Sequence, residues 1–313
     1  MLAYIARRLL ATIPVMAMVA LIVFAILRLT PGDPAVVLAG DMATPEQLAQ
    51  IRTSMGLDKP IHIQFFGWLL QLVRGDLGIS LMSQVPVATL IADRMGPSLA
   101  LALGTIIVSV LVAVPLGVLA ASRHGSLIDR GVMAFSVLGF SVPVFLKGYL
   151  LIMLLSLYLG WLPVQGYKPL SAGIWEFAER LVLPVIALSA SYIALIARIT
   201  RTSILEVIGE DFIRTARAKG LGERSVLMHH ALRNAAVPIV TIIGVGVASL
   251  ISGVVVTESV FNLPGLGRLV VESVLSRDYP VIQGLILLFS LIYILINLLV
   301  DILYTVFDPR IRY

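Results

Sequence analysis

The chain is predicted to be an all-α polytopic membrane protein with six transmembrane helices, cytoplasmic N and C termini, and a structured periplasmic segment between helices 1 and 2. Three observations carry this. The 313-residue sequence is 59% hydrophobic and 13% charged, against roughly 25% charged residues in a soluble domain. Its apolar residues fall in runs near the roughly 20 residues that carry a helix across a bilayer core. Its Lys and Arg gather in alternate connections, as the positive-inside rule requires.

The runs, in order, are 9–29, 98–121, 131–159, 181–197, 235–256 and 281–300. Arg7 and Arg8 precede the first run as they would in a signal peptide. At about 21 residues, however, it exceeds a cleavable apolar core, so it is expected to stay as a span. The connection from 198 to 233 carries Arg198, Arg201, Arg214, Arg217, Lys219, Arg224 and Arg233. Placing it in the cytoplasm puts Arg7, Arg8, Arg123, Arg130, Arg310 and Arg312 there as well. The outer loops hold Arg52, Lys59, Arg74 and Arg94, balanced by Asp33, Asp41, Glu46, Asp58, Asp76 and Asp93. This divides the chain into 1–29 (N-terminus and first span), 30–97 (extracytoplasmic segment with short helices) and 98–313 (core, with a cytoplasmic loop at 201–234). The net charge of +5 therefore reports membrane topology and lipid contact, not nucleic-acid binding. With no cysteine, disulfides and thiolate metal sites are excluded.

Two helices are expected in the outer segment. Thr44-Pro45-Glu46-Gln47 supplies an N-cap, a proline at the first helical position and a capping-box glutamine, with Gly56 as the stop. The second, 61–73, is apolar and aromatic with Phe65, Phe66 and Trp68. It either lies in the membrane interface or packs on the spans.

In the cytoplasmic loop, Asp211 can cap a short helix that Gly220 ends in the left-handed conformation. Phe212 and Ala216 share a face at i and i+4, flanked by Arg214, Thr215, Arg217, Ala218 and Lys219. Such a helix can enter a partner's groove, or it is a helical positive-inside anchor. A second helical segment is expected over 225–234.

Arg214-Thr-Ala-Arg-Ala-Lys-Gly220 before a span resembles the loop of permease subunits in ATP-binding-cassette (ABC) importers. That loop reads Glu-Ala-Ala, three residues, Gly; here Arg214-Thr215-Ala216 take the first places and the acidic residue is missing. Pro238 lies further from Gly220 than the general pattern has it. These departures resemble the dipeptide, oligopeptide, glutathione and nickel branch. Tyr4 to Arg8, Pro31-Gly-Asp-Pro34, Gly75-Asp-Leu-Gly78, Ser141-Val-Pro143, Phe261-Asn-Leu-Pro-Gly-Leu-Gly267, Arg277-Asp-Tyr-Pro-Val-Ile-Gln283 and Asp308-Pro-Arg-Ile-Arg-Tyr313 extend the resemblance over nearly the whole chain. It implies a heterodimer with a second, homologous permease, two ATPase subunits docked on the loop helices, an extracytoplasmic binding protein that delivers substrate, and a bacterial inner-membrane location. ATP and Mg would be bound by the partner subunits, and no cofactor is expected in this chain. No Gly-x-x-x-x-Gly-Lys-Ser/Thr loop occurs, and Lys59, Lys147, Lys168 and Lys219 lack its glycine context.

The remaining candidates concern the pathway. Gly244, Ala248 and Ser252, at i, i+4 and i+8, form a small-residue stripe that either lines a pore or packs helices closely. Pro115 and Pro143 are expected as tolerated kinks. Lys147, inside an apolar run, either contacts substrate in a cavity or snorkels to the outer surface. Glu258 and Asp301 are expected at interfaces. His229 and His230, adjacent on a helix, diverge and make a poor metal pair. No catalytic motif occurs, so the expected function is a non-enzymatic half of an ATP-driven pathway for di- or oligopeptides, then glutathione, then chelated nickel, working by alternating access. A stand-alone secondary carrier or channel is the alternative.

Overall fold

The structure, a computed structural model, describes residues 2–29, 35–36, 44–54 and 56–307. The motif Pro31 to Pro34, Asp41 and the ending Asp308 to Tyr313, with Arg310 and Arg312, lie outside the described residues. Among the described residues the chain is helical with no strand, and Ile79 and Pro86 form an isolated bridge. It divides into two compact units, one of Met1–Gly96 and Arg268–Ile294, the other of Pro97–Gly267 and Leu295–Tyr313.

In the first unit, helix α1 (Leu2–Leu29) contains the apolar stretch Leu10–Ile26. Helix α2 (Pro45–Ser54) starts through a reciprocal capping box: Gln47 N donates to Thr44 Oγ1 at 3.3 Å, and Thr44 N donates to Gln47 Oε1 at 3.0 Å. Helix α3 (Ile61–Val73) packs on α1, where Phe65 and Trp68 meet Phe24 with ring centroids 5.2 and 5.7 Å apart. Asp76 Oδ1 accepts from Gly78 N at 2.8 Å, an Asx turn that redirects the chain. Asp278 then pins the following turn, accepting from Ser80 Oγ at 2.5 Å and Leu81 N at 3.0 Å.

Helix α4 (Val87–Ser122) begins ten residues before the expected end of the outer segment and carries both Pro97 and Pro115 without ending. Hydropathy marked only its apolar part. The polar turns before Pro97 are helix as well, so the connection that follows α1 closes at Pro86.

The second unit is built around helix α7 (Ile174–Ile208), 56% of whose most apolar window is buried. Helices α5 (Leu127–Ser141), α6 (Val144–Leu151, continued by a π-helical stretch Ile152–Tyr158) and α9 (Ala236–Val260) pack on it. Leu183 and Leu188 of α7, Leu101 of α4 and Leu250 of α9 share one buried cluster. Because α7 runs to Ile208, Arg198 and Arg201 belong to a helix and the loop starts at Gly209. Helices α8 (Asp211–Ala218), α10 (Leu266–Leu275) and α11 (Tyr279–Phe307) complete the order. The sequence reading has no counterpart to α10.

Four helices, α4, α7, α9 and α11, are long and apolar enough to cross a membrane, and α5 with α6 makes a fifth if the bent pair is one span. The chain is a multi-pass membrane protein. That count, among the described residues, is one below the six expected, and the sixth rests on α1.

The run 131–159 is not a kinked helix. A proline's Cδ pushes the preceding residue out of the helical region, and Val142 is extended at ψ 124°. Helix α5 therefore stops at Ser141, and α6 leaves at 103°. Pro115 behaves as a tolerated internal proline, whereas Pro143 breaks the segment.

Candidate functional site

Helix α8 is amphipathic in a way sequence spacing mislocated. Its buried pair is Ile213 and Ala216, at i and i+3, not Phe212 and Ala216. Ile213 is fully buried and Ala216 nearly so, in a cluster with Val118 and Ala121 of α4, Ile204 of α7, Val226 and Ala231 of the segment 223–234, and Ala235 and Ile239 at the start of α9. Phe212, the residue before Ile213, is 41% exposed. Asp211 is not the cap: Glu210 holds the N-cap position without a side-chain bond, and Asp211 pairs with Arg214 at 3.2 Å on the exposed surface. Gly220 takes φ +80°, the left-handed region that stops a helix cheaply only at glycine.

The segment 223–234 follows as one helical stretch with a π-helical centre, Val226–Ala231. Glu223 ties it to α8, accepting from Arg217 Nη2 at 2.6 Å. A shallow depression beside it is lined by Gly222, Glu223, Arg224, Ser225, Met228 and His229. His229 is exposed and His230 half-buried. Thr215, Ala218 and Lys219 are exposed with Arg214 and Arg217. The face turned outward is thus cationic with one aromatic, over an apolar seat.

Sequence reasoning missed an ion pair that joins α5 to α7. Asp129, buried at the start of α5, accepts from Arg201 Nε and, at 2.8 Å, from Arg201 Nη2, and also from Gly125 N at 2.9 Å. The fork of a guanidinium matches a carboxylate in this way. In the sequence Arg201 stands out only as a topology signal. Ser126-Leu-Ile-Asp129 is a capping pattern that could have marked the acid, and Asp129 N does donate to Ser126 Oγ at 3.4 Å.

At the break, Lys147 has a position that neither reading anticipated. Its Nζ donates to the Gly139 carbonyl at 2.9 Å and to Ser191 Oγ on α7. The last carbonyls of a helix lack intrahelical donors and carry the negative end of its dipole. Lys147 thus caps the end of α5 from across the bend that Pro143 creates. Glu258, expected at an interface, is instead fully buried and accepts from Ser98 Oγ at 2.5 Å, which in turn accepts from Leu266 N at 2.7 Å. Asp301 lies half-buried within α11.

The small-residue stripe divides along its length. A Cβ on Gly244 would lie 2.3 Å from Val300 Cγ2, so α11 crosses there at a distance only glycine allows. Ala248 is half-buried and Ser252 exposed.

Comparison with known proteins agrees along the whole chain. The family described as binding-protein-dependent transport system inner membrane component matches residues 113–313, and its N-terminal companion matches 1–102. A Sinorhizobium fredii protein named "Probable peptide ABC transporter permease" is 52% identical over 310 residues, covering 99% of both chains. The glutathione transport system permease protein of Salmonella choleraesuis is 45% identical over 313 residues, covering 100% of both. Among solved structures, the inward-facing MetNI methionine ABC transporter matches 71% of this chain and 97% of its own at TM-score 0.58 and 18% identity, a likeness of fold. The relatives are permease subunits, so this chain is a transport subunit and not an enzyme, ATP hydrolysis belonging to separate subunits. With its apolar helices and these matches over both halves, the chain belongs to the family of inner membrane components of binding-protein-dependent transport systems, as a permease of an ABC importer.

Proposed function

We propose that this permease forms half of a translocation pathway for di- or oligopeptides in a bacterial inner membrane, working by alternating access as a heterodimer with a second permease. The family carries with it ATPase subunits and a binding protein as partners. In this reading α1 is the sixth span, both termini are cytoplasmic, and 30–86 lies on the outer side of the bilayer, where the binding protein docks. A peptide cargo follows the relative that is 52% identical; glutathione is the second choice, after the relative at 45%. Chelated nickel ranks third.

The observation that carries the mechanism is the seat of α8. Ile213 and Ala216 are buried against the ends of α4, α7 and α9. A push on the outward face, Asp211, Phe212, Arg214, Thr215, Arg217, Ala218, Lys219 and Gly220, therefore reaches these helices together. Packed interiors transmit displacement because they compress little. ATP-driven closure of two motors would move the paired α8 helices, and the spans would re-pack to turn the cavity to the other side. Within the membrane, Ala248 and Ser252 remain pathway candidates. Lys147 and Pro143 shape the bend, and Lys147 could contact substrate only by leaving Gly139 and Ser191.

The test is Phe212→Asp. The variant should insert and remain as stable as the parent, because Phe212 is exposed, yet it should lose the co-purifying ATPase and substrate uptake. Normal ATPase recovery and uptake would refute the docking role. Purification of the unmodified chain alone, repeatedly and under mild conditions, would instead favour a stand-alone carrier.

A further inference from the structure

Helix α3 divides into three longitudinal sectors. At 100° per residue, Phe65, Trp68 and Leu72 share the sector that packs towards Phe24 of α1. Gln64, Gly67 and Gln71 form a narrow polar strip, and Gln64 Nε2 donates back to the Lys59 carbonyl at 2.7 Å. The third sector is Ile63, Phe66, Leu70 and Val73, exposed by 48%, 64%, 52% and 78%. No residue of the helix is buried, and none is Asp, Glu, Lys or Arg.

We infer that α3 is a membrane-interface helix, lying flat at the bilayer boundary by the end of α1 with Ile63, Phe66, Leu70 and Val73 against lipid acyl chains. Thirteen residues span about 20 Å, short of the roughly 30 Å hydrocarbon core. Asp58 and Lys59 precede the helix, and Arg74 and Asp76 follow it. Both ends therefore sit in water on one side, which excludes crossing. Helix α1, on which α3 packs through Phe24, likewise exposes apolar residues, Leu21, Ile22 and Ile26. With α1 as a span, as in the proposed reading, lipid covers those residues, and neither the stretch 10–26 of α1 nor α3 carries Asp, Glu, Lys or Arg. A helix left in water in this orientation would keep four large apolar side chains hydrated; one lying in the boundary buries them about 5–10 Å deep. Trp68, on the packing face, is at home at that depth. The inference stands apart from the transport reading, since it is tested without transport.

The chain has no cysteine, so single-cysteine variants report cleanly. Phe66→Cys, Leu70→Cys and, as the aqueous control, Lys59→Cys would be spin-labelled in the full chain in lipid nanodiscs, with any cysteine of its co-purifying subunits replaced. Collision with oxygen, which concentrates in lipid, and with a water-soluble nickel chelate would then be measured. Oxygen collision should dominate at positions 66 and 70, and the order should reverse at 59. Nickel collision at 66 and 70 matching that at 59 would overturn the proposal in favour of a water-exposed helix. Protection from both reagents would overturn it in favour of a protein-covered face. Should either variant fail to insert, Val73→Cys at the end of the same stripe decides by the same readout.

Discussion

Two short helices beside the spans, α8 and α3, solve opposite problems. Helix α8 buries Ile213 and Ala216 under a charged, exposed face. Helix α3 buries nothing completely and carries no Asp, Glu, Lys or Arg. A charged outer face is stable in water and can meet a protein of complementary charge, whereas a bare apolar stripe cannot stay in water cheaply. The contrast teaches that a short amphipathic helix is defined by what surrounds it. In the proposed reading the seat under α8 makes it a lever, and the lack of one under the outer stripe of α3 leaves lipid as its partner.

The comparison can be broken first at the seat. Ile213→Ala should cost about 4 kcal/mol, as for a fully buried aliphatic side chain left as a cavity, and should abolish uptake; the equivalent truncation Phe66→Ala in α3 should leave thermal unfolding in detergent little changed. Equal shifts for the two would erase the distinction. Next, Asp129→Asn leaves the Arg201 guanidinium short of its carboxylate and should cost about 3 kcal/mol, read as earlier proteolysis of the 209–222 region. Cleavage unchanged from the parent would mean that the pair does not support the seat. Replacing Gly220 by Ala forces a Cβ into the left-handed region for about 1–2 kcal/mol, so uptake should fall while insertion persists. Full uptake would show that the stop of α8 tolerates remodelling. Smallest is Glu223→Gln: the pair with Arg217 is exposed on both sides, so stability should change by less than about 1 kcal/mol, and a larger loss in urea titration would place it among the structural contacts.

Much of this architecture was legible because lipid imposes length and hydropathy on any helix that crosses it. The cores of α4, α7, α9 and α11, the capping box of α2 and the bounds of α3 follow from that and from local turn chemistry. Helix ends did not follow, since α4 and α7 continue as helix into polar sequence that hydropathy cannot mark. The bend at Val142 was foreshadowed by Pro143 alone, and Pro115, the same residue type in a similar run, stays within a continuous helix. Whether a proline bends or breaks a span depends on the bonds that replace those it removes, and here Lys147 supplies one to Gly139.

By itself, the sequence determined a multi-pass, cysteine-free helical membrane chain with a basic loop before a span and the motifs of its family, because composition and short-range spacing are written in consecutive residues. Only the tertiary structure decided that Ile213 rather than Phe212 faces inward, that Asp129 holds Arg201, that Glu258 is buried on Ser98, and that Gly244 serves packing. Each of these joins residues tens or more positions apart, or turns on which side of a helix meets a neighbour, and neither periodicity nor charge count carries that information.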